Sequence, residues 1–403
     1  MISRQLFAKT IVLAMTGSVG CFVLALFAWE PADPWRRTAI ASNHTQVQGA
    51  FQTRLPWSQH GREVEGEGYP RAVLYRLLFS EANPTRQSDQ SLPAHGEDLL
   101  PDASPPRGIS PLPFPKDNPP TLERVNLGRL LFFDRRLSSD ESLSCASCHK
   151  PEQAFADNET TSHGIGSQRG RRNTPTVINA GLQPYQFWDG RASSLEDQAL
   201  LPFENPLEMG PSISRIVDRL NQIPQYRDAF RRVFGAPVTP KNLAQALASF
   251  ERTVLAGDSA YDQYAAGNPT ALSSKAAEGM KLFEGKANCR LCHQGDIFSD
   301  GLFHNLGVGW NGGGFADEGR KALTGIVKDR GAFKTPTLRQ VAQTGPYMHD
   351  GSLASLEAVI NFYDQGGKPN PHLDPLIQPL RLTLQEKEAL VEFLRSLSGK
   401  VRF

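Results

Sequence analysis

Two short stretches concentrate the residue types with the greatest chemical reach: Cys145-Ala-Ser-Cys148-His149 and Cys289-Arg-Leu-Cys292-His293. Each sets two thiols about one helical turn apart and puts an imidazole directly after the second. Paired thiols can form a disulfide, bind zinc or add to activated double bonds, and the adjoining histidine selects among these. In a C-x-x-C-H pattern the thiols add to the vinyl groups of a haem, and the histidine becomes the proximal iron ligand. With 5 Cys and 9 His in 403 residues, meeting the pattern twice by chance is on the order of one in a million, which removes coincidence and zinc as explanations. Two covalently bound haem c groups are therefore expected, attached through Cys145, Cys148, Cys289 and Cys292, with His149 and His293 as iron ligands.

A second strong ligand on the far side of an iron makes an electron-transfer centre; an open side with an acid or base group makes a catalyst. The surrounding elements decide which groups can reach. Thr121 caps a predicted helix whose Leu127, Leu130 and Leu131 share a face, and Ser193 with Glu196 offers a capping box before Leu195 to Leu201. After Thr239-Pro240, the residues Leu243, Leu247, Phe250 and Val254 form one apolar stripe. Ser274 to Phe283 leads into the second motif, and Leu356, Val359, Ile360 and Tyr363 make a further helical face. Thr383 with Glu386 caps a last helix carrying Leu390, Phe393, Leu394 and Leu397, with Gly399 as its stop. No long alternating strand pattern competes, and 30 Pro with 35 Gly imply extensive loops. The fold class is mainly α: two cytochrome c-like haem domains with long loops, preceded by an N-terminal membrane anchor or signal segment. The expected divisions are 1–29 for that segment, 30–110 for an irregular linker, 111–260 for the first haem domain and 261–403 for the second. Beyond their motifs the two halves share little, a duplication of function rather than a visible repeat.

Lys and Arg number 43 against 42 Asp and Glu, and no basic stripe emerges, so nucleic acid is not an expected partner. Arg4 and Lys9 precede an apolar run from Thr10 to Trp29, long enough to cross a bilayer. Leu26, Phe27, Trp29 and Glu30 crowd the place of a cleavage site, which favours an uncleaved anchor over a cleaved signal, with Cys21 as a membrane-buried thiol. The remainder is then expected in the periplasm, tethered to the inner membrane by residues 10–29.

A longer pattern joins the two motifs. Arg172-Asn-Thr-Pro-Thr176, Phe187-Trp-Asp-Gly-Arg191, Ser194-Leu-Glu-Asp-Gln-Ala199, Asn205-Pro-Leu-Glu-Met-Gly210 and Pro346-Tyr-Met-His-Asp-Gly351 occur in that order. Residues 111 to 403 thereby resemble the bacterial di-haem cytochrome c peroxidases and the related MauG-type enzymes. The resemblance implies that the first haem domain is the peroxidatic one, with Glu208 as distal acid/base and Gln198 lining the same pocket. It places Trp188 between the haems, and it implies a calcium site made by Asn173 with the carbonyls of Thr344 and Pro346. Outside the pattern, Glu208 would read as an exposed loop carboxylate and Trp188 as core packing. A carboxyl within reach of bound peroxide can move a proton from one oxygen to the other as the bond breaks.

Two positions depart from the peroxidase pattern. The family's displaceable histidine before the Arg-Asn segment aligns with Ile165, and the nearby His163 is expected in a surface loop, which leaves the first iron open. The family's methionine ligand to the second iron aligns with Tyr363, as in MauG-type enzymes; the competing ligands are the sulfurs of Met348 and Met280. A phenolate stabilises oxidised iron, whereas a thioether favours the reduced state.

The expected function is that of a periplasmic di-haem c-type peroxidase that reacts with hydrogen peroxide and draws electrons from a small periplasmic cytochrome or copper protein. The alternative is a MauG-like enzyme whose peroxide-derived oxidising equivalents oxidise aromatic residues of a protein substrate. A plain electron-transfer cytochrome is the third reading, and it leaves Glu208 and Gln198 without a purpose.

Overall fold

In the computed structural model, which describes residues 104–403 apart from Pro211, each motif leans on a pair of packed helices. The anchor or signal segment, Cys21 and most of the expected linker lie outside the described residues. Thr121 caps helix α1 (Leu122–Phe132) by accepting the Arg124 amide, as its sequence predicts. A four-residue turn of helix, α2 (Cys145–Cys148), carries the first motif. Ahead of α3 (Leu195–Leu200) the cap is Ser194, which accepts from Asp197, rather than Ser193. Glu196 is unavailable for the expected box because Arg252 and Asn118 engage its carboxylate. Helices α4 (Ile213–Gln222), α5 (Pro224–Phe234) and α6 (Pro240–Glu251) complete this half. Leu243, Leu247 and Phe250 are buried on α6 as expected, whereas Val254, also buried, lies beyond the helix end.

The second half opens with strand β1 (Leu255–Gly257) and α7 (Ala260–Ala265), followed by α8 (Ser274–Glu284). Strand β2 (Phe303–Asn305), α9 (Lys321–Thr324) and β3 (Ala332–Lys334) come next. Helix α10 (Leu356–Asp364), α11 (Leu384–Arg395) and β4 (Lys400–Arg402) finish the chain. Thr383 and Glu386 form the expected capping box. Gly399 is not the helix stop: α11 is capped at Ser396, and Gly399 instead lies against the carbonyl of Gly257, where a Cβ would come within 2.1 Å.

The strands are too short to announce themselves by alternation. Both pairs are antiparallel, β1 with β4 and β2 with β3. Pairing β4 with β1 carries the C-terminus back to the first half, where Phe403 packs edge-on against Phe155 at 5.0 Å. The last residues of the expected linker also dock: the Gly108 carbonyl accepts from Arg339, whose guanidinium is buried against Asp262 at 2.6 Å.

Two large apolar clusters form among the described residues, one running from Val125 to Ala256 and one from Phe283 to Leu397. They are built alike, contrary to the expectation that the halves share only their motifs. Helix α1 packs on α6 through Gly128, where a Cβ would sit 1.8 Å from the Ala246 carbonyl; α8 packs on α11 through Gly279, 1.9 Å from that of Ala389. Phe155 and Phe298, Asn179 and Gln340, and Phe187 and Met348 are matched pairs of left-handed residues. The bridge between Gln186 and Ala192 recurs between Tyr347 and Leu353. The repeat is a repeat of backbone, with side chains so diverged that sequence alone conceals it.

Candidate haem sites and the residues between them

In both motifs the histidine is pinned by the chain that follows it. Nδ1 of His149 lies 3.2 Å from the Phe155 carbonyl, and Nδ1 of His293 lies 2.9 Å from that of Phe298. A carbonyl only accepts, so each Nδ1 is the protonated nitrogen and each Nε2 keeps its lone pair. Burial holds both imidazoles below the ordinary histidine value, which keeps them neutral. Cys145, Cys148, Cys289 and Cys292 are free of disulfides. Neutral imidazoles with an anchored tautomer, beside free paired thiols, are the donor set that two c-type haems require.

At the first motif, a loop joins the attachment residues to the expected acid. The Cys148 sulfur lies 3.7 Å from the His163 carbonyl, and the Ile165 amide donates to the Glu208 carbonyl at 2.9 Å. Gly164 between them fits only because it lacks a Cβ, which would sit 1.8 Å from the Leu207 carbonyl. His163 itself is exposed. Glu208 stands in a turn that Asn205 organises: the Asn205 amide donates to Glu208 Oε1 at 2.7 Å, and its oxygen accepts the Leu207 amide at 3.0 Å. Burial pushes the Glu208 carboxyl up, against the opposing pull of Arg191 and Asn205. Its charge reaches Cys148, whose thiol is pushed up to about 11, chiefly by burial with help from Asp157 and Glu208. Gln198 is half-buried on α3, whose 3-10 continuation, Leu201–Glu204, leads into the Glu208 turn.

At the second motif, one apolar cavity is lined by Cys289, Cys292, His293 and Tyr363. Tyr363 is half-buried on α10. Met348 lines the same cavity, whereas Met280 packs into the second apolar cluster. The backbone repeat sets α10 against α3, and Tyr363 then corresponds to Pro202, a residue with no ligand atom to offer. His304 lies beside Cys292, its two ring nitrogens held by Asp374 at 2.6 Å and Asp300 at 3.1 Å. No motif announces this trio, because Asp300, His304 and Asp374 are scattered over two loops and a strand.

Between the motifs, Trp188 donates from Nε1 to the Asn173 carbonyl at 2.9 Å. The backbone exchange around it is reciprocal: Asn173 donates to the His349 carbonyl at 2.8 Å, and Lys334 donates to that of Trp188 at 2.7 Å. Asn173 and Lys334 each precede a Thr-Pro-Thr run, and Trp188 and His349 each precede Asp-Gly. The His349 ring stacks on Phe333 at 3.5 Å. Arg172 ties the layers together through Asp189 and Asp317, both at 2.7 Å. Asn173, Thr344 and Pro346 line the same cavity as Trp188. The Asn173 amide nitrogen is committed to the Glu159 carbonyl at 2.8 Å, so its oxygen is the atom left for a cation.

Residues 122–270 match the family model for di-haem cytochrome c peroxidase. The MauG methylamine utilization protein of Methylorubrum extorquens is 41% identical over 72% of this chain and 82% of its own length. The chain belongs to the di-haem cytochrome c peroxidase family. Membership implies two c-type haems and an oxidoreductase, in keeping with the paired motifs. Cytochrome c551 peroxidase of Pseudomonas aeruginosa is a further relative, 36% identical over 81% of this chain and 92% of its own. Among solved structures, a MauG-like protein associated with microbial copper homeostasis superposes with a TM-score of 0.66 at 34% identity, covering 76% of this chain and 96% of that one. This family member is thus similar to both branches, the peroxidases and the MauG proteins.

Proposed function

We propose that the chain is a periplasmic enzyme that reduces hydrogen peroxide at a first haem held by Cys145, Cys148 and His149. A second haem would be held by Cys289, Cys292 and His293 and would supply a second redox centre. The observation that carries this proposal is the half-buried Glu208 carboxyl beside the first motif. When bound, the first haem would supply the redox chemistry that breaks the O–O bond. Glu208 does the proton work. Its Oε1 is fixed by Asn205, which leaves Oε2 to take the proton from the inner oxygen and deliver it to the departing outer one. Burial raises the carboxyl above the ordinary glutamate value, which eases the return of a proton. Gln198 on the neighbouring helix helps to orient peroxide. Trp188, bonded to Asn173, is the aromatic step between the two sites. Two domains, 111–260 and 261–403, each organise one haem, and c-type attachment suits the periplasm, with residues 10–29 as the tether. Asn173, Thr344 and Pro346 would hold one calcium ion between them through oxygen atoms.

Ile165 and Tyr363 favour the MauG-like reading over the conventional donor-fed one. Ile165 puts an aliphatic group where a blocking histidine would stand, so the first iron needs no activation. Burial pushes the Tyr363 hydroxyl up, so it ionises only against a cation such as iron, and the phenolate then favours the oxidised state of the second haem. Equivalents held this way can be passed to an aromatic residue of a partner protein. With Met348 as the second ligand, a small cytochrome or copper protein would refill the haems instead.

An optical titration of the isolated oxidised protein with one equivalent of peroxide, without reductant, tests this. A rapid spectral change lasting seconds or longer supports an open first site and a tyrosine-held second one. Silence until one haem is pre-reduced would return the protein to the conventional, ligand-blocked peroxidases.

A further inference from the structure

Lys334 is unusual among the cations of this protein. It sits on β3 with its side chain lining the cavity shared by the second motif and Trp188. Among the described residues it has no carboxylate partner within ion-pair distance; its ammonium meets the Gln183 amide oxygen at 3.1 Å. The acid whose field reaches it is Asp300. Both Asp300 oxygens are already engaged, Oδ1 by the Leu302 amide at 2.9 Å and Oδ2 by His304 at 3.1 Å. A half-buried ammonium with a single neutral acceptor is costly, and such groups are normally paired. Burial accordingly pushes the lysine down to about 8. The backbone repeat adds a second argument. Lys334 takes the place that Asn173 takes in the first half, beside the residue between the motifs, and its own amide is bonded to Trp188. The cavity wall around it is mainly apolar, so an anionic group placed there would find its partner in Lys334.

We infer that the Lys334 ammonium, held by Gln183, is the seat of a propionate of the second haem and sets that haem's reduction potential. The inference rests on the two-haem reading above. Oxidising the iron adds one positive charge to the group, so a fixed cation nearby disfavours oxidation and raises the potential. Removing the cation must lower it. Because the Lys334 amide is bonded to the Trp188 carbonyl, the same charge also bears on how easily equivalents pass from Trp188 to the second site.

The test is a spectroelectrochemical titration of the full-length protein and of Lys334→Met and Lys334→Arg, after counting haems per chain by pyridine haemochrome. One haem per chain in the unaltered protein would defeat the two-haem reading itself. With two haems present, Lys334→Met is expected to shift the second haem's oxidation equilibrium at least tenfold, which for one electron is about 59 mV lower. Lys334→Arg should keep the native potential, and the first haem should be unmoved in both. An unchanged second potential in Lys334→Met overturns the inference, as does an equal shift of both haems. Where Lys334→Met does not load, Lys334→Gln gives the same reading: a lowered second potential supports the seat, and an unchanged one overturns it.

Discussion

Glu208 and Glu251 are both carboxyls pushed up by burial, and they make opposite demands on experiment. For Glu208 the demand is kinetic. Glu208→Gln removes the proton carrier while keeping the shape, and it should slow peroxide consumption by about 10² to 10⁴; a stopped-flow rate that does not change would place the acid elsewhere. Tyr363→Phe should alter the spectrum of the second haem alone, and an unaltered spectrum would pass the ligand role to Met348. For Glu251, on α6 facing Cys145, the demand is thermodynamic. Burial pushes its carboxyl up to about 8 from 4.5, with Arg252 opposing and Glu196 adding. Between those values the folded chain holds a proton that the unfolded chain has released, so this group's contribution falls as pH rises through the window. Melting temperatures of the unaltered protein and Glu251→Gln should therefore diverge between pH 5 and pH 8, the variant gaining; parallel curves would show that the carboxyl ionises normally.

The helix pairs are where sequence served best and where it stopped. Leu127, Leu131, Leu390 and Phe393 were legible as buried faces because an apolar stripe at helical spacing has few alternatives. Gly128 and Gly279 were not, since a helical glycine looks like a weakness until its partner helix is in place. Each lets a neighbouring backbone approach to contact distance. Gly128→Ala and Gly279→Ala should each cost about 1–3 kcal/mol by forcing the pair apart, measurable by denaturant titration. A stable variant would mean that α1 or α8 can slide. The short strands escaped notice for a different reason: three residues cannot show a period. At α3 the cap moves from Ser193 to Ser194, with Glu196 drawn away from its own helix end by Arg252 and Asn118.

Across the whole molecule, the first and second sites are held in register by contacts that neither half makes alone. The attachment residues were legible because their spacing is chemistry. The seam was not, because Arg172, Phe333, His349 and Lys334 meet only through tertiary structure. Arg172→Leu would leave Asp189 without one partner and Asp317 without its guanidinium, and it should cost about 1–3 kcal/mol. Calorimetry should then show the single transition broadening or splitting; a sharp, unshifted transition would mean that the seam is held elsewhere. The amides of Asn173 and Lys334 should exchange with solvent only on global unfolding.

Those two amides say something about origins. A contact in which one copy's residue bonds its counterpart's neighbour, and the counterpart returns the bond, is the mark of an isologous dimer. Such an interface forms without covalent help between identical single-haem chains. Fusing the chains removes the requirement that both copies stay identical. One copy is then free to place Pro202 where the other places Tyr363, and tryptophan at the seam where the other places histidine. Asymmetry of side chains in this protein thus follows from symmetry in its backbone.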